Sequence, residues 1–532
     1  VYLNWLKFKT LKLKKRLIHC LAVCFLFCSS SAKLKAQIIS EKKMIALPAE
    51  MVVDKIRGGM LGMMIGNMNG WPYEFKFYGK YGDVKTYIPS LPNGAQTDDD
   101  TDFEWVYIYN MQKTRNAYLP YEDINAYWKK SVNKAIWCSN RYSRYLMDLG
   151  IKSPMTGSVA LNPWAGFNVS GQFVSESFGL VAPAMPQTAA KIGLHYTRVT
   201  IGGEPAQTTQ LFTTMISTAF IESDINVILD AGVASLDPSS IVVQVIADVR
   251  KWHKQNPGNP AETHRLLHGK YVLNDALVRN QNGSVLNTAV IIAAFLYGNG
   301  NFSETIRHSM NFGYDADCNC ATLGTLLGTM YGHRRILNEG WQIVDRYKNT
   351  TRDNMPMDET IISFADRVVD VFEMINQENG GSKAIADKIV VYNIPSEKPT
   401  SVYKLLTCDE EKLRLKNELE KEIVTNLLAG KQQEMARAAY LAISLELDKS
   451  LQKKYPKEWK EACYNLSGYW KVISNIFHSE GFKSLVQLKE KFIAAGFIPM
   501  DAAPKDEVLY KDMEAWKDPK TLYTIPEGKM GN

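Results

Sequence analysis

The chain has 532 residues, 45% of them hydrophobic and 22% charged, an ordinary globular composition that is too long for a single hydrophobic core, so two domains are expected. The formal net charge is +6, but residues 1–36 hold eight Lys and Arg and no acid, so the remainder carries +6 − 8 = −2 and makes no case for nucleic-acid binding. Three of the eight cysteines, Cys20, Cys24 and Cys28, also fall in that first segment, and the five that remain are too scattered for a disulfide framework.

In chain order, a Lys/Arg-rich stretch over residues 7–16 precedes an apolar run over 17–28 and then Ser29-Ser30-Ser31-Ala32. These are the three parts of a secretory signal, and the apolar run is shorter than the roughly 20 residues a membrane span needs. Residues 1–36 are therefore expected to be a signal peptide. The mature protein is then exported, periplasmic or extracellular, with no stable membrane span after cleavage.

Residues 51–70 are predicted to form the first helix, on which Gly58, Gly62, Gly66 and Gly70 recur at every fourth position. Gly in a helix interior costs up to about 1 kcal/mol against Ala, so a stripe of it points to close approach by another helix backbone. Gly324, Gly328 and Gly332 repeat the spacing on a later predicted helix. Together the two stripes imply a helical core whose smooth faces bring distant helix ends to one place. Pro72 ends the first helix, which leaves Glu74 in a loop.

Next comes Thr97-Asp98-Asp99-Asp100-Thr101-Asp102, directly ahead of an apolar run over 103–111. Residues 121–149 read as helical and aromatic. The stretch 153–179, rich in Gly, Ser and Asn, is long for a loop in a compact domain, and such loops are often binding elements. Trp164 and Phe167 within it either stack on a ligand or pack in the core. Helices are predicted over 183–192 and 207–221, flanking His195. His264 and His268 stand at i, i+4 with no Glu between them, and their charged surroundings point to a solvated helix face. An apolar helix over 287–297 leads to Gly313-Tyr314-Asp315-Ala316-Asp317-Cys318-Asn319, which again precedes an apolar run, over 321–331. Helices continue to about residue 376. Gly380-Gly381-Ser382 marks 377–383 as a linker, 385–394 holds a short strand, and the rest is helical with Glu and Lys at i, i+4 spacing. The fold class is all-α.

Both acidic clusters read as helix N-termini, where Asp caps free N–H groups and faces the positive end of the dipole. Three consecutive Asp in one and two at i, i+2 in the other are more carboxylate than a cap requires. Two carboxylates about 4 Å apart repel by roughly 4 kcal/mol at an effective dielectric near 20, so a convergent group needs protons or a divalent cation. Oxygen donors suit Mg²⁺, Mn²⁺ or Ca²⁺ and not Zn²⁺. Cys318 and Cys320 have no second Cys or His pair at metal spacing, so a soft-metal site is not expected from them.

The segments Gly59-Met60-Leu61-Gly62-Met63-Met64-Ile65-Gly66-Asn67-Met68-Asn69-Gly70-Trp71-Pro72-Tyr73-Glu74, Thr97-Asp98-Asp99-Asp100-Thr101 and Gly313-Tyr314-Asp315-Ala316-Asp317-Cys318-Asn319 resemble, in order, three signatures of the ADP-ribosylglycohydrolase family, the dinitrogenase reductase-activating glycohydrolase-like proteins. The resemblance implies a compact multi-helix core over 45–376 and leaves 384–532 as a mostly helical accessory domain. It further implies a metal-dependent hydrolase cleaving an N- or O-glycosidic bond to ADP-ribose or a related ribosyl group, on a modified protein or a small molecule. Two ions, Mg²⁺ or Mn²⁺, would be held by Thr97, Asp98, Asp99, Asp100, Asp315, Asp317 and Cys318. Which of Asp98, Asp99 and Asp100 bind is left open, because the shorter family form has one Asp fewer. Glu74 and Asp99 are the implied catalytic residues, and Asn168, Gly171 and His195 the implied substrate contacts. The chain departs from the pattern at Asn67, where many members have Asp, and at Cys318, where they have Thr. A thiol is a poor Mg²⁺ ligand, so either the second ion binds more weakly or water replaces the hydroxyl. These departures keep a second reading open, an exported ADP-ribose or nucleotide-binding module without turnover.

Overall fold

The computed structural model describes residues 43–166, 168–273, 283–477 and 483–497. The expected signal peptide and Phe167 lie outside them. The helices that build the centre are α1 (Ala49–Gly70), α2 (Asp99–Thr114), α3 (Cys138–Asp148), α4 (Pro186–Thr197), α5 (Glu204–Thr218), α6 (Ser284–Gly298), α7 (Ala316–Tyr331) and α8 (Ile361–Glu378).

The two glycine stripes meet face to face. A Cβ on Gly58, Gly62, Gly66 or Gly70 would land on the carbonyl oxygen of Gly328, Gly324, Cys320 or Ala316 respectively, and one on Gly324 or Gly328 would strike the Gly62 or Gly58 carbonyl. Helices α1 and α7 therefore run antiparallel with their backbones in contact, which no residue with a side chain would allow. From Gly58 to Asn67 every residue of α1 is buried, as befits a helix that is apolar all round. Helices α6 and α8 pack on this pair, α2 packs on α8, and α4 and α5 form the next layer. The all-α core expected from sequence is thus present.

Short strands tie its ends. In one antiparallel sheet, β1 (Met44–Pro48) pairs with β6 (Ile389–Pro395), from Met44 opposite Pro395 to Pro48 opposite Val391, and β6 pairs in turn with β5 (Ser382–Ala386). In the other, β2 (Ala95–Gln96) lies parallel to β3 (Tyr347–Lys348), which is antiparallel to β4 (Asp358–Glu359). The stretch 377–383, expected as a linker, is the end of α8 and a turn through Gly380 (φ +90°) into β5. The hairpin that follows is annealed to the strand just before α1.

Beyond it, residues 401–405 run along α4 and α5, where Gln210 Oε1 accepts from the backbone N–H groups of Val402 (2.7 Å) and Tyr403 (2.9 Å). The helices α9 (Cys408–Leu427), α10 (Gln432–Ser444) and α11 (Pro456–Ser467) follow as the expected helical extension. Their core is not their own. Leu415, Ile423, Tyr440 and Trp459 share one buried cluster with Tyr142, Leu146, Leu161 and Trp164 of the first half. The Tyr440 hydroxyl donates to Leu161 O (2.5 Å) and sits 2.8 Å from that of Tyr142. Trp164 is accordingly a core residue.

His264 and His268 are not on a solvated face. Both are buried, with rings 6.0 Å apart at 9°, and both stack on Tyr314. Charged neighbours in sequence mislead here because the charges point the other way around the helix. Among the described residues no helix is long and apolar enough to cross a membrane.

Candidate metal centre

The C-terminal end of α1 is where the three motifs meet. Gly70 rests on Ala316 and Asp317 at the start of α7, so the stripe that packs the helices also seats one acidic turn beside the end of α1. After a single 3₁₀ turn over Trp71–Tyr73, the chain is sewn to that turn by its backbone. Phe75 N–H donates to Tyr314 O (2.7 Å), and Tyr314 N–H donates to Phe77 O (3.0 Å). Phe75 (φ 53°) and Tyr314 (φ 61°) both adopt left-handed conformations, which cost bulky residues about 1–3 kcal/mol and collect at functional sites. Glu74 directly precedes Phe75, and its carboxylate lies with those of Asp315 and Asp317.

The other acidic turn is positioned by side chains. Asp98 is the N-cap of α2, yet its carboxylate makes no capping bond. It accepts instead from Asn67 Nδ2 on α1 (2.8 Å), which also donates to Asp100 Oδ2 (2.6 Å). The capping explanation for this cluster therefore fails at the residue best placed to satisfy it. Behind the turn, Asp102 pairs with Arg352 (2.7 Å) with neither side chain exposed, and it accepts from the Thr351 hydroxyl (2.6 Å). Arg352 also donates to Lys134 O (2.6 Å) and Ala135 O (3.0 Å).

Two overlapping ligand sets result. Glu74, Asp315 and Asp317 form one and Asp100, Asp317 and Cys318 the other, each with donor atoms within 4.8 Å of one another. Apart from the half-buried Glu74, all of these residues are buried. The Oδ1 atoms of Asn67, Asp100 and Asp317 are buried without a hydrogen-bond partner among the described residues. Buried amide and carboxylate oxygens left without a hydrogen-bond partner fit a cation, since each would otherwise cost about 1–3 kcal/mol.

The electrostatics agree. Burial pushes the Glu74 carboxyl up to about 8, helped by the negative charges of Asp315 and Asp98. Burial also raises Asp317 well above the usual carboxylate range, with Glu74, Asp315, Asp100 and Asp98 adding to it, and raises Asp99 and Asp100 likewise. Arg352 opposes the shift on Asp98 and Asp99 but does not cancel it. Without a cation the centre must hold protons instead.

The remaining predicted residues have other neighbours. The Thr97 hydroxyl accepts from the backbone N–H of Thr350 (2.7 Å) and Thr351 (3.2 Å), fastening the turn to the loop that carries Arg352. Asn168 Oδ1 accepts from the Ser170 N–H (2.8 Å). Gly171 lies against Pro205, where a Cβ would overlap the Pro205 carbonyl oxygen. His195 Nε2 is 2.8 Å from Leu119 O and its ring stacks on Tyr121 at 4.5 Å. Asn319, quoted in the second motif, donates to Asn287 Oδ1 (2.8 Å), which also accepts from Asp315 N–H (3.3 Å), so it shapes the turn from behind.

Sequence reasoning missed Arg352, which sits in no motif and acquires its place only through the loop after β3. It also missed Glu104 and Glu176, two fully buried carboxyls held by Ser177 and Thr322 between α2 and α7. Glu104 stands inside an apolar run, which was its one signal, whereas Glu176 lies between Ser175 and Ser177 and carried none.

The family model for ADP-ribosylglycohydrolase matches residues 48–378. Among solved structures, a chain titled "ADP-ribosylglycohydrolase-related protein complex" is similar at 14% identity and a TM-score of 0.39, covering 61% of this chain and 99% of that one. None of the curated proteins matches. With three ordered motifs brought together at one acidic centre and a family match across most of the length, the chain belongs to the ADP-ribosylglycohydrolase family.

Proposed function

We propose that this protein is a divalent-cation-dependent glycohydrolase that cleaves an N- or O-glycosidic bond to ADP-ribose or a related ribosyl group. The observation that carries the reading is the meeting of Glu74, Asp100, Asp315, Asp317 and Cys318 from three separate segments in two ligand sets that share Asp317. Two cations suit two sets, and Mg²⁺ or Mn²⁺ suits the oxygen donors. Bound there, such ions orient ribose hydroxyls and lower the pKa of a water molecule.

The chain's own residues supply the rest. Asn67 holds Asp98 and Asp100 in register, and Arg352 braces the turn through Asp102. Glycosidic cleavage passes through an oxocarbenium-like transition state and needs a proton moved at the leaving group or at the attacking water. Glu74, the half-buried carboxyl of the ligand sets, is the group placed to take that proton once a cation has displaced its own, with Asp99 of the neighbouring turn as the second candidate. Next to Glu74, the partly exposed Tyr73 stacks on the buried Phe77 at 6.3 Å, and Trp71 is 40% exposed, so Trp71 and Tyr73 offer aromatic surface suited to a sugar or base. The substrate is an ADP-ribosylated protein or a small ribosyl compound, met outside the cytoplasm if the leader is cleaved as expected.

The test is release of ADP-ribose from arginine-linked, serine-linked and nucleotide-linked substrates by EDTA-treated protein with and without added Mg²⁺ or Mn²⁺. Release of at least one product only with metal is the expected result. Binding of ADP-ribose with no turnover of any substrate would instead select the binding-module reading.

A further inference from the structure

The two ligand sets differ in donor chemistry. Glu74, Asp315 and Asp317 offer oxygen alone, whereas Asp100, Asp317 and Cys318 place a sulfur among the oxygens, within the same 4.8 Å. Cys318 lies in the first turn of α7, and its thiol is directed at Asp100 and Asp315. All three members of the sulfur-containing set are buried, Asp100 completely, so bulk water does not compete for the donors.

A second observation points to a ligand there. Asn67 is 0% exposed, and its amide nitrogen is committed to Asp98 and Asp100. Its carbonyl oxygen is thereby held beside the set with no hydrogen-bond partner among the described residues, as are Asp100 Oδ1 and Asp317 Oδ1. Where an Asp at position 67 would add a further negative charge, the amide adds a neutral oxygen and binds two carboxylates together. The position therefore carries less negative charge and a softer donor than an all-carboxylate site.

Mg²⁺ requires oxygen ligands in near-octahedral order and gains little from a thiolate. Zn²⁺ and Co²⁺ bind thiolate, carboxylate and carbonyl oxygen together in lower coordination. We propose that the Asp100–Asp317–Cys318 position selects a thiophilic divalent ion of the Zn²⁺ or Co²⁺ type, while the Glu74–Asp315–Asp317 position takes a hard ion, making a mixed-metal centre bridged by Asp317. The proposal rests on the reading that this acidic centre binds cations, and it changes which cation. On binding, the Cys318 S–H bond breaks, its proton leaves to the buffer, and the sulfur lone pair is shared with the ion, so a thiol proton is released in addition to those the ion displaces from the carboxyls of the set.

The experiment uses the full chain, stripped of metal and titrated with Co²⁺. The expected result is a thiolate-to-cobalt charge-transfer band in the near ultraviolet that saturates at one equivalent, is removed by Zn²⁺ and survives excess Mg²⁺. Cys318→Ser and Cys318→Thr should lose the band and bind Zn²⁺ and Co²⁺ at least ~10-fold more weakly, since even outer-shell losses cost roughly 10–100-fold, while Mg²⁺ affinity by calorimetry holds or rises. Co²⁺ binding without the band, or a band that persists in Cys318→Ser, overturns this inference and leaves the hydrolase reading standing. If neither Co²⁺ nor Mg²⁺ nor Mn²⁺ binds, the cation-dependent reading itself falls and takes this one with it.

Discussion

Asp317 belongs to both ligand sets, and four other carboxyls raise its proton affinity beyond what burial alone does. Replacing it with Asn removes an ionisable group from a repulsive cluster and a ligand from both positions at once. Asp317→Asn is expected to raise the thermal midpoint of metal-free protein, to abolish the further rise on adding divalent cation, and to cut turnover by ~100-fold or more. Scanning fluorimetry with and without EDTA, alongside a release assay, measures all three. The pH dependence follows from the same buried groups. Glu74 and Glu176 sit at about 8 against an ordinary 4.5, so the folded form binds more protons than the unfolded chain across that interval. Their stabilisation is complete below 4.5 and lost as pH rises through 8. His264, lowered to about 3 by burial, and His268 and His308, lowered to about 4, act in the opposite direction, stabilising above 6.5 and losing that contribution as pH falls through 4. Between 6.5 and 8 the carboxyls act unopposed, so the midpoint of metal-free protein should fall over that window. Saturating Mg²⁺ should flatten the fall, because a cation replaces the proton on Glu74. A midpoint that rises from 6.5 to 8 without metal contradicts the arrangement.

Helices α1 and α7 turn residue spacing into site geometry. Their glycines let two backbones touch, and the contact continues to Gly70, which abuts Ala316 and Asp317. Gly324→Ala would drive a methyl group into the Gly62 carbonyl and force the helices apart. Overpacking costs about 1–3 kcal/mol in general and more when the obstacle is backbone, so the urea midpoint should drop accordingly. Because both acidic turns depend on this contact, divalent-cation affinity should fall with it. Gly79→Ala, with nothing within 4 Å of the added carbon, serves as the control and should leave both unchanged. The regular spacing of these glycines was plain in the sequence, and so was the loop position of Glu74 after Pro72. What the stripe would touch was visible only as a second stripe of the same period.

On the scale of the whole molecule, the helical extension and the family core share one buried cluster and are expected to unfold together. Tyr440 on α10 is fully buried against Tyr142 on α3, and its hydroxyl satisfies Leu161 O. Tyr440→Phe leaves that carbonyl and the Tyr142 hydroxyl short of a partner, at a cost of about 1–3 kcal/mol. Calorimetry should show a single unfolding transition that moves down as a whole. Two transitions, with only one displaced, would mean that the halves fold separately. The strand before α1 and the hairpin after α8 close the core in a similar way, tying together two segments about 350 residues apart that local pattern treats as unrelated.

By itself the sequence determined the helical class, the glycine periods and the two acid-rich helix starts, because each depends on residues within a turn or two of one another. Only the tertiary structure decided that Asn67 would bind Asp98 and Asp100, that Arg352 would pair with Asp102, and that the Thr97 hydroxyl would face the loop after β3. It also buried His264 and His268, whose neighbours in sequence are charged. These partners lie tens to hundreds of positions apart. Periodicity shows which face of a helix is apolar, but which distant side chain lies opposite is decided by packing all the faces at once.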